Sequence, residues 1–146
     1  MKSVVQILKS KPDQVVYTVE LTATVFDAAA LMQLKNIGAL LVLKGGRVVG
    51  IVTERDIACK MVLAGRLPTE TPVRDIMHSP VQCVHPRHTN GECMALMTQG
   101  RLRHLPVIDD DRLIGLVSIG DLVKDIISEQ EFIIHQLEHY IAGDRG

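Results

Sequence analysis

Two short patterns in this 146-residue chain set a hydroxyl three residues ahead of a carboxylate: Thr53-Glu-Arg-Asp56 and Ser118-Ile-Gly-Asp121. That spacing caps a helix, because the hydroxyl takes an N–H of the first turn while the acid reaches back. It also fixes a carboxylate beside the free amides of a helix start, where ligand oxygens find partners. Arg103-His104 supplies a guanidinium fork of the kind that grips phosphate, the bland alternative being a solvated charge at a strand edge. His135-Gln-Leu-Glu-His139 has the His-x-x-Glu-His spacing of one class of zinc peptidase. Two histidines four apart share a helix face and can hold a metal. On an amphipathic helix, however, the solvated-face reading of so short a pattern is favoured. No glycine-rich phosphate loop, Cys/His nucleophile pair or separated acidic dyad occurs elsewhere. The expectation is a chain that catalyses nothing.

Composition narrows the partners. Sixteen basic residues against seventeen acidic ones leave a net charge of −1, which excludes the basic field of a general nucleic-acid binder. With 3% aromatic residues and no Trp, base-stacking platforms are equally poorly supplied. The longest apolar runs, Gly38–Leu43 and Val48–Val52, fall far short of the ~20 residues that span a bilayer. Cys59, Cys83 and Cys93 are odd in number and lack C-x-x-C spacing, which fits free thiols in a reducing compartment. A cytoplasmic protein is expected, or one of an organellar matrix if the source is a eukaryote.

The elements that must position these residues come from a duplication. A shift of 65 residues aligns Val16–Ile57 with Val81–Leu122 without a gap, with identity at 12 of the 42 positions. Among the identities are Thr24/Thr89, Gly50/Gly115 and Asp56/Asp121. Upstream, Ile7-Leu8-Lys9-Ser10 matches Ile76-Met77-His78-Ser79 once four residues are allowed for. Each copy reads alike: a β-branched run (Val15–Val19, Val81–Val84), a Thr-capped helix, an apolar strand, a tight turn (Gly45-Gly46, Asp109–Asp111), a second strand, and a second helix from Thr53 or Ser118. The order β-α-β-β-α, twice, predicts an α+β fold. Strands as apolar as Ala39–Leu43 need cover on both faces, so the copies should pack sheet to sheet about a pseudo-twofold axis. Residues 3–65 form the first copy, 66–72 a linker, 73–128 the second copy, and 129–146 a C-terminal helical extension. Ile126, Ile127, Ile133, Ile134, Leu137 and Ile141 give that extension an apolar stripe, which predicts a homodimer.

Gly50-Ile-Val-Thr-Glu-Arg-Asp-Ile57 and Gly115-Leu-Val-Ser-Ile-Gly-Asp-Leu122 resemble the signature of CBS (cystathionine-β-synthase) domains, and Arg103-His-Leu-Pro-Val107 and Val73-Arg-Asp-Ile-Met77 resemble two further segments of that family. The chain is similar to stand-alone proteins made of one CBS pair. The resemblance implies a sensor of adenine nucleotides that signals to a regulated partner. AMP is the leading ligand, with ATP, ADP, NAD and S-adenosylmethionine as alternatives, and no obligatory cofactor. In those terms Asp56 and Asp121 accept the ribose hydroxyls, as acids do in dinucleotide folds. By resemblance one cleft uses Thr53, Asp56, His78, Cys83, Arg103 and His104. The other uses Ser118, Asp121, Gly38, Ala39, Lys9 and Thr18. Only the first would gain the Arg103–His104 pair for phosphate, which makes it the expected principal cleft. The rival readings are a ligand-free dimeric scaffold and a metal-dependent hydrolase built on His135, Glu138 and His139.

Overall fold

In the computed structural model, which describes residues 2–12 and 14–144, the duplication is visible strand by strand. The first copy contributes β1 (Thr18–Glu20), α2 (Val25–Lys35), β2 (Ala39–Lys44), β3 (Arg47–Thr53) and a short α3 (Glu54–Asp56) that continues as a π-helix, Ile57–Val62. The second contributes α4 (Asn90–Gly100), β4 (His104–Asp109), β5 (Arg112–Ser118) and the long α5 (Ile119–Asp144). Ahead of the first copy lies α1 (Val4–Ser10), and ahead of the second a 3₁₀ turn, Val73–Asp75. Thr24 and Thr89 cap α2 and α4 by accepting the N–H of Asp27 and Glu92, at 3.1 and 3.2 Å. Both helices then end on a left-handed residue at equivalent positions, Asn36 and Arg101.

The two sheets differ at one strand. In the first, β2 pairs parallel with β1 and antiparallel with β3. In the second, β4 and β5 keep the same antiparallel register, including its shift one residue after the centre. The expected strand Val81–Val84, however, contracts to a single parallel bridge between Val84 and Val107. Two prolines account for it. In the first copy the Leu41 N–H donates to the Tyr17 carbonyl and the Leu21 N–H to the Leu43 carbonyl, and the equivalents of Leu41 and Leu21 are Pro106 and Pro86, which have no N–H. The turns also solve one problem in two ways. Gly45 and Gly46 adopt positive φ without cost, whereas Asp110 and Asp111 hold the same left-handed conformation with side chains present.

The lead-in segments cross between the copies. Val4 and Ile7 of α1 are buried with Val84, Leu105, Val117 and Leu122 of the second copy. Val73 and Ile76 are buried with Val25, Leu40 and Val52 of the first. Backbone bonds seal both crossings: Val4 N–H donates to the His88 carbonyl at 2.7 Å, and Val25 N–H to the Thr71 carbonyl at 2.8 Å. The shared signature glycines make room for this. A Cβ on Gly115 would meet Leu8 of the crossing segment at 2.7 Å, and one on Gly50 would collide with Met77. Between the copies a third cluster joins Ala39, Leu41 and Ile51 to Leu113 and Leu116, sheet on sheet. Among the described residues no helix is long and apolar enough to cross a membrane.

Candidate ligand-binding cleft

Both hydroxyl–carboxylate pairs fold as reciprocal helix caps. Thr53 N–H donates to Asp56 Oδ2 at 2.9 Å while Asp56 N–H donates to Thr53 Oγ1 at 3.2 Å. Ser118 N–H donates to Asp121 Oδ2 at 2.8 Å, and Asp121 N–H returns to Ser118 Oγ at 3.2 Å. The capping role is therefore real at both sites. What separates them is what remains of each carboxylate.

Asp56 is closed. Its Oδ2 also accepts the Thr53 hydroxyl at 3.0 Å. Its Oδ1 meets His78 Nε2 at 2.8 Å and Lys60 Nζ at 3.4 Å. The residue is only 4% exposed. Asp121 is open. Its side chain is 19% exposed, and beyond the cap it takes one ion pair, from Lys11 Nζ to Oδ2 at 3.0 Å. No hydrogen bond or ion pair reaches its Oδ1 among the described residues. Lys11 also donates to the Leu116 carbonyl at 3.0 Å, so the end of the crossing α1 segment is tied to the second copy at this point.

In front of Asp121 lies a cleft of about 430 Å³, within the range of small-molecule sites. Ser118, Asp121, Lys124, His104 and Leu116 line it from the second copy, and Val16, Tyr17, Ile37, Gly38 and Ala39 from the first. Its chemistry divides. One part is apolar, lined by Val16, Tyr17 and Ile37; the other holds a carboxylate and two ammonium groups. His104 stands opposite Ser118 across β4 and β5. Burial pushes its pKa below the ordinary histidine range, with Asp121 opposing and Lys11 and Arg103 adding to the depression. The ring is neutral at pH 7 and can both donate and accept.

The structure thus brings Ser118, Asp121, Gly38 and Ala39 together around one cavity. Lys9 and Thr18, expected with them, do not line it. α1 stays helical through Ser10, so the cation that reaches the carboxylate is Lys11, two residues beyond Lys9. For the other group, Thr53, Asp56 and His78 do meet. Arg103 and Cys83 make no hydrogen bond or ion pair to them among the described residues, and Arg103 is solvent-exposed. His104 lies in the Asp121 cleft instead. The expected ranking of the clefts is therefore reversed in geometry: the carboxylate with free capacity is Asp121. Sequence reasoning also missed Lys11, Lys124 and Tyr17. The signal for Lys124 was its place one helical turn beyond Asp121, since its equivalent in the repeat is Cys59, while Lys11 falls in the region where the repeat needs a gap. His135, Glu138 and His139 sit on an exposed stretch of α5, and no metal-holding group of three forms among the described residues.

Comparison with known proteins agrees with the duplication. The CBS domain profile matches residues 7–62 and 73–128. A mitochondrial CBS domain-containing protein of Arabidopsis thaliana, CBSX3, is 42% identical over 125 residues, covering 82% of this chain and 61% of the relative. The CBS domain-containing protein YhcV of Bacillus subtilis is 35% identical, covering 79% of this chain and 81% of its own length. This chain thus spans about three-fifths of the plant relative. Among solved structures, a CBS-domain protein from Burkholderia ambifaria superposes with a TM-score of 0.85 at 53% identity, over 88% of this chain and 96% of that one. The CBS domain pair of protein MJ0100, solved with 5′-methylthioadenosine and S-adenosylmethionine, gives 0.76 at 26% identity, over 88% and 98%. With two matched repeats, a shared fold and relatives across most of its length, this chain belongs to the CBS-domain family and is a tandem CBS pair.

Proposed function

We propose that this CBS pair is a regulatory module that binds one adenine nucleotide, AMP foremost, in the Asp121 cleft and reports its occupancy to a partner protein. The observation that carries the reading is the free Oδ1 of Asp121 in an open cavity, beside the Lys11 ammonium on Oδ2. A ribose offers two neighbouring hydroxyls to that carboxylate, and each makes a charge-assisted bond. The apolar lining between Val16, Tyr17 and Ile37 suits adenine. Lys11 and Lys124 suit a phosphate, and neutral His104 can donate to it. The adenosine ligands of the MJ0100 pair, a protein of the same family and fold, support the adenine assignment.

The geometry also supplies a means of signalling. Lys11 belongs to the segment that crosses from the first copy, and it now holds Asp121 and the Leu116 carbonyl. A ligand whose ribose takes Asp121 and whose phosphate takes Lys11 replaces that link with a longer one. Occupancy then favours a different placement of α1 against β5, a population shift between copies. None of these steps makes or breaks a covalent bond, and the module acts by binding alone.

A thermal-shift panel of AMP, ADP, ATP, NAD and S-adenosylmethionine tests this. At a hundred times Kd a ligand adds about 2.7 kcal/mol, which for a chain of this length raises Tm by about 5–10 °C. A flat response to all five rejects nucleotide sensing and leaves the ligand-free scaffold.

A further inference from the structure

α5 is a 26-residue helix, and from Glu131 to Gly143 every side chain on it is exposed. Val123, Ile127, Ile134, Leu137 and Ile141 recur at alternating steps of three and four, with Gln130 in the one remaining seam position. That is an a/d seam over three heptads. All five apolar members are 42–57% exposed, including Val123 and Ile127, where the helix still lies against its own module. A helix projecting into water with an apolar stripe gains little stability alone and calls for a covering partner.

We propose that the partner is α5 of a second copy, antiparallel, with Ile134 facing Gln130 of the partner subunit, and that this dimer sets Glu138 of the partner subunit beside Lys124 at the cleft. The register follows from the seam. This alignment pairs Val123 with Ile141 and Ile127 with Leu137, so every apolar seam residue is covered. A slip of one heptad either way leaves an end of the stripe in water. Charge selects the same register. The flanking positions set Lys124 opposite Glu138 at both ends of the pair and Glu131 opposite its own copy, two attractions against one repulsion. Lys124 makes no ion pair among the described residues, so it is available for this contact. A parallel pair would instead lay Glu131 and Glu138 beside the apolar Ile133 and Tyr140 row and bring both modules to one end.

Lys124 lines the cleft, so the partner copy contributes a charge to the site. This second part rests on the nucleotide reading. A phosphate in the cleft and Glu138 of the partner subunit compete for one ammonium group, so ligand and dimer weaken each other reciprocally.

The test uses the full chain without nucleotide, in a Cys59→Ser, Cys83→Ser background because Cys59 is exposed and Cys83 half-buried. Light scattering should give a dimer mass, and Leu137→Asp, at an exposed position, should give a folded monomer by circular dichroism. A short bis-maleimide should cross-link Ile133→Cys to its own copy. It should not cross-link Ile141→Cys, whose two copies would lie about 27 Å apart in this register. Lys124→Glu and Glu138→Lys should each weaken the dimer roughly tenfold, and the double variant should restore it. A monomeric wild type, a dimer indifferent to Leu137→Asp, self-linking of Ile141→Cys without Ile133→Cys, or no restoration in the double variant would each overturn the proposal. AMP should then loosen the wild-type dimer several-fold and leave Glu138→Gln unmoved. Failure of that arm alone, with the ligand-free arms holding, overturns the shared lysine and not the helix pair.

Discussion

The Asp56 and Asp121 sites descend from one repeat and share one cap, yet one is closed and the other open. A lysine at the fourth position after the carboxylate explains much of it. Lys60 returns to Asp56, whereas the equivalent residue after Asp121 is Asp125. Asp125 turns into the core, where it accepts from Asn90 Nδ2 at 2.8 Å and pairs with Lys2 at 3.4 Å. The crossing segments widen the difference. His78 meets the oxygen of Asp56 that its cap leaves over, while Lys11 shares the oxygen of Asp121 that its cap already uses. A duplicated motif therefore marks two helix starts, and the neighbours of each carboxylate decide which one keeps capacity for a ligand.

The open site should depend most on Lys11. Lys11→Ala should weaken AMP by about 1.5–3 kcal/mol, the worth of a hydrogen bond to a charged group, or about 10- to 150-fold. Adenosine, lacking the phosphate, should bind as before or better, since Asp121 is freed. Equal losses for both ligands in a calorimetric titration would remove Lys11 from the phosphate.

The two signature glycines should also differ. Gly50→Ala should cost about 1–3 kcal/mol by overpacking, and more than Gly115→Ala. At Gly50 the added methyl also meets the His78 carbonyl at 3.1 Å, and backbone yields less than the flexible Leu8 side chain that it meets at Gly115. Urea unfolding of the two variants measures this, and the reverse order would contradict the crossing geometry.

Asp56→Ala should act on stability alone. It leaves the half-buried Thr53 N–H without its acceptor, a loss of about 1–3 kcal/mol, while AMP affinity stays within about threefold. A smaller effect attends His104. Its pKa in the fold lies below the free value because burial disfavours the charged ring. Below pH of about 6.5 the unfolded chain therefore binds more protons there, and stability falls as pH falls through that value towards the lower folded one. In His104→Gln the drop in Tm between pH 7 and 5 should be shallower than in the wild type; an unchanged slope would assign the drop to other groups.

Much of this fold was legible in the residues. The 65-residue repeat gave the element order, the Thr caps and the Gly-Gly turn located α2, α4 and the hairpins, and Gly50 and Gly115 marked the signature. The exchange of lead-ins was not legible, because it depends on which core Ile7 and Ile76 reach, and both cores are equally apolar. The shortened strand at Val84 escaped the reading, which weighed the β-branched run over Pro86 and Pro106, the two residues that cannot donate where Leu21 and Leu41 do. Ser118, Asp121, Gly38 and Ala39 were grouped by the family resemblance, and they line one cavity. Lys11 was not, because a gap in the repeat hid its reach, and the closure of Asp56 turned on distances that no alignment holds.

On the proposed reading, one adenine nucleotide binds per chain, on Asp121. Calorimetric titration of AMP into the wild type, Asp56→Ala and Asp121→Ala, each checked for folding, measures it directly. The expected result is one site per chain, retained in Asp56→Ala and weakened about 30- to 150-fold in Asp121→Ala, the equivalent of about 2–3 kcal/mol. Two sites per chain, or binding lost in Asp56→Ala and kept in Asp121→Ala, would contradict it.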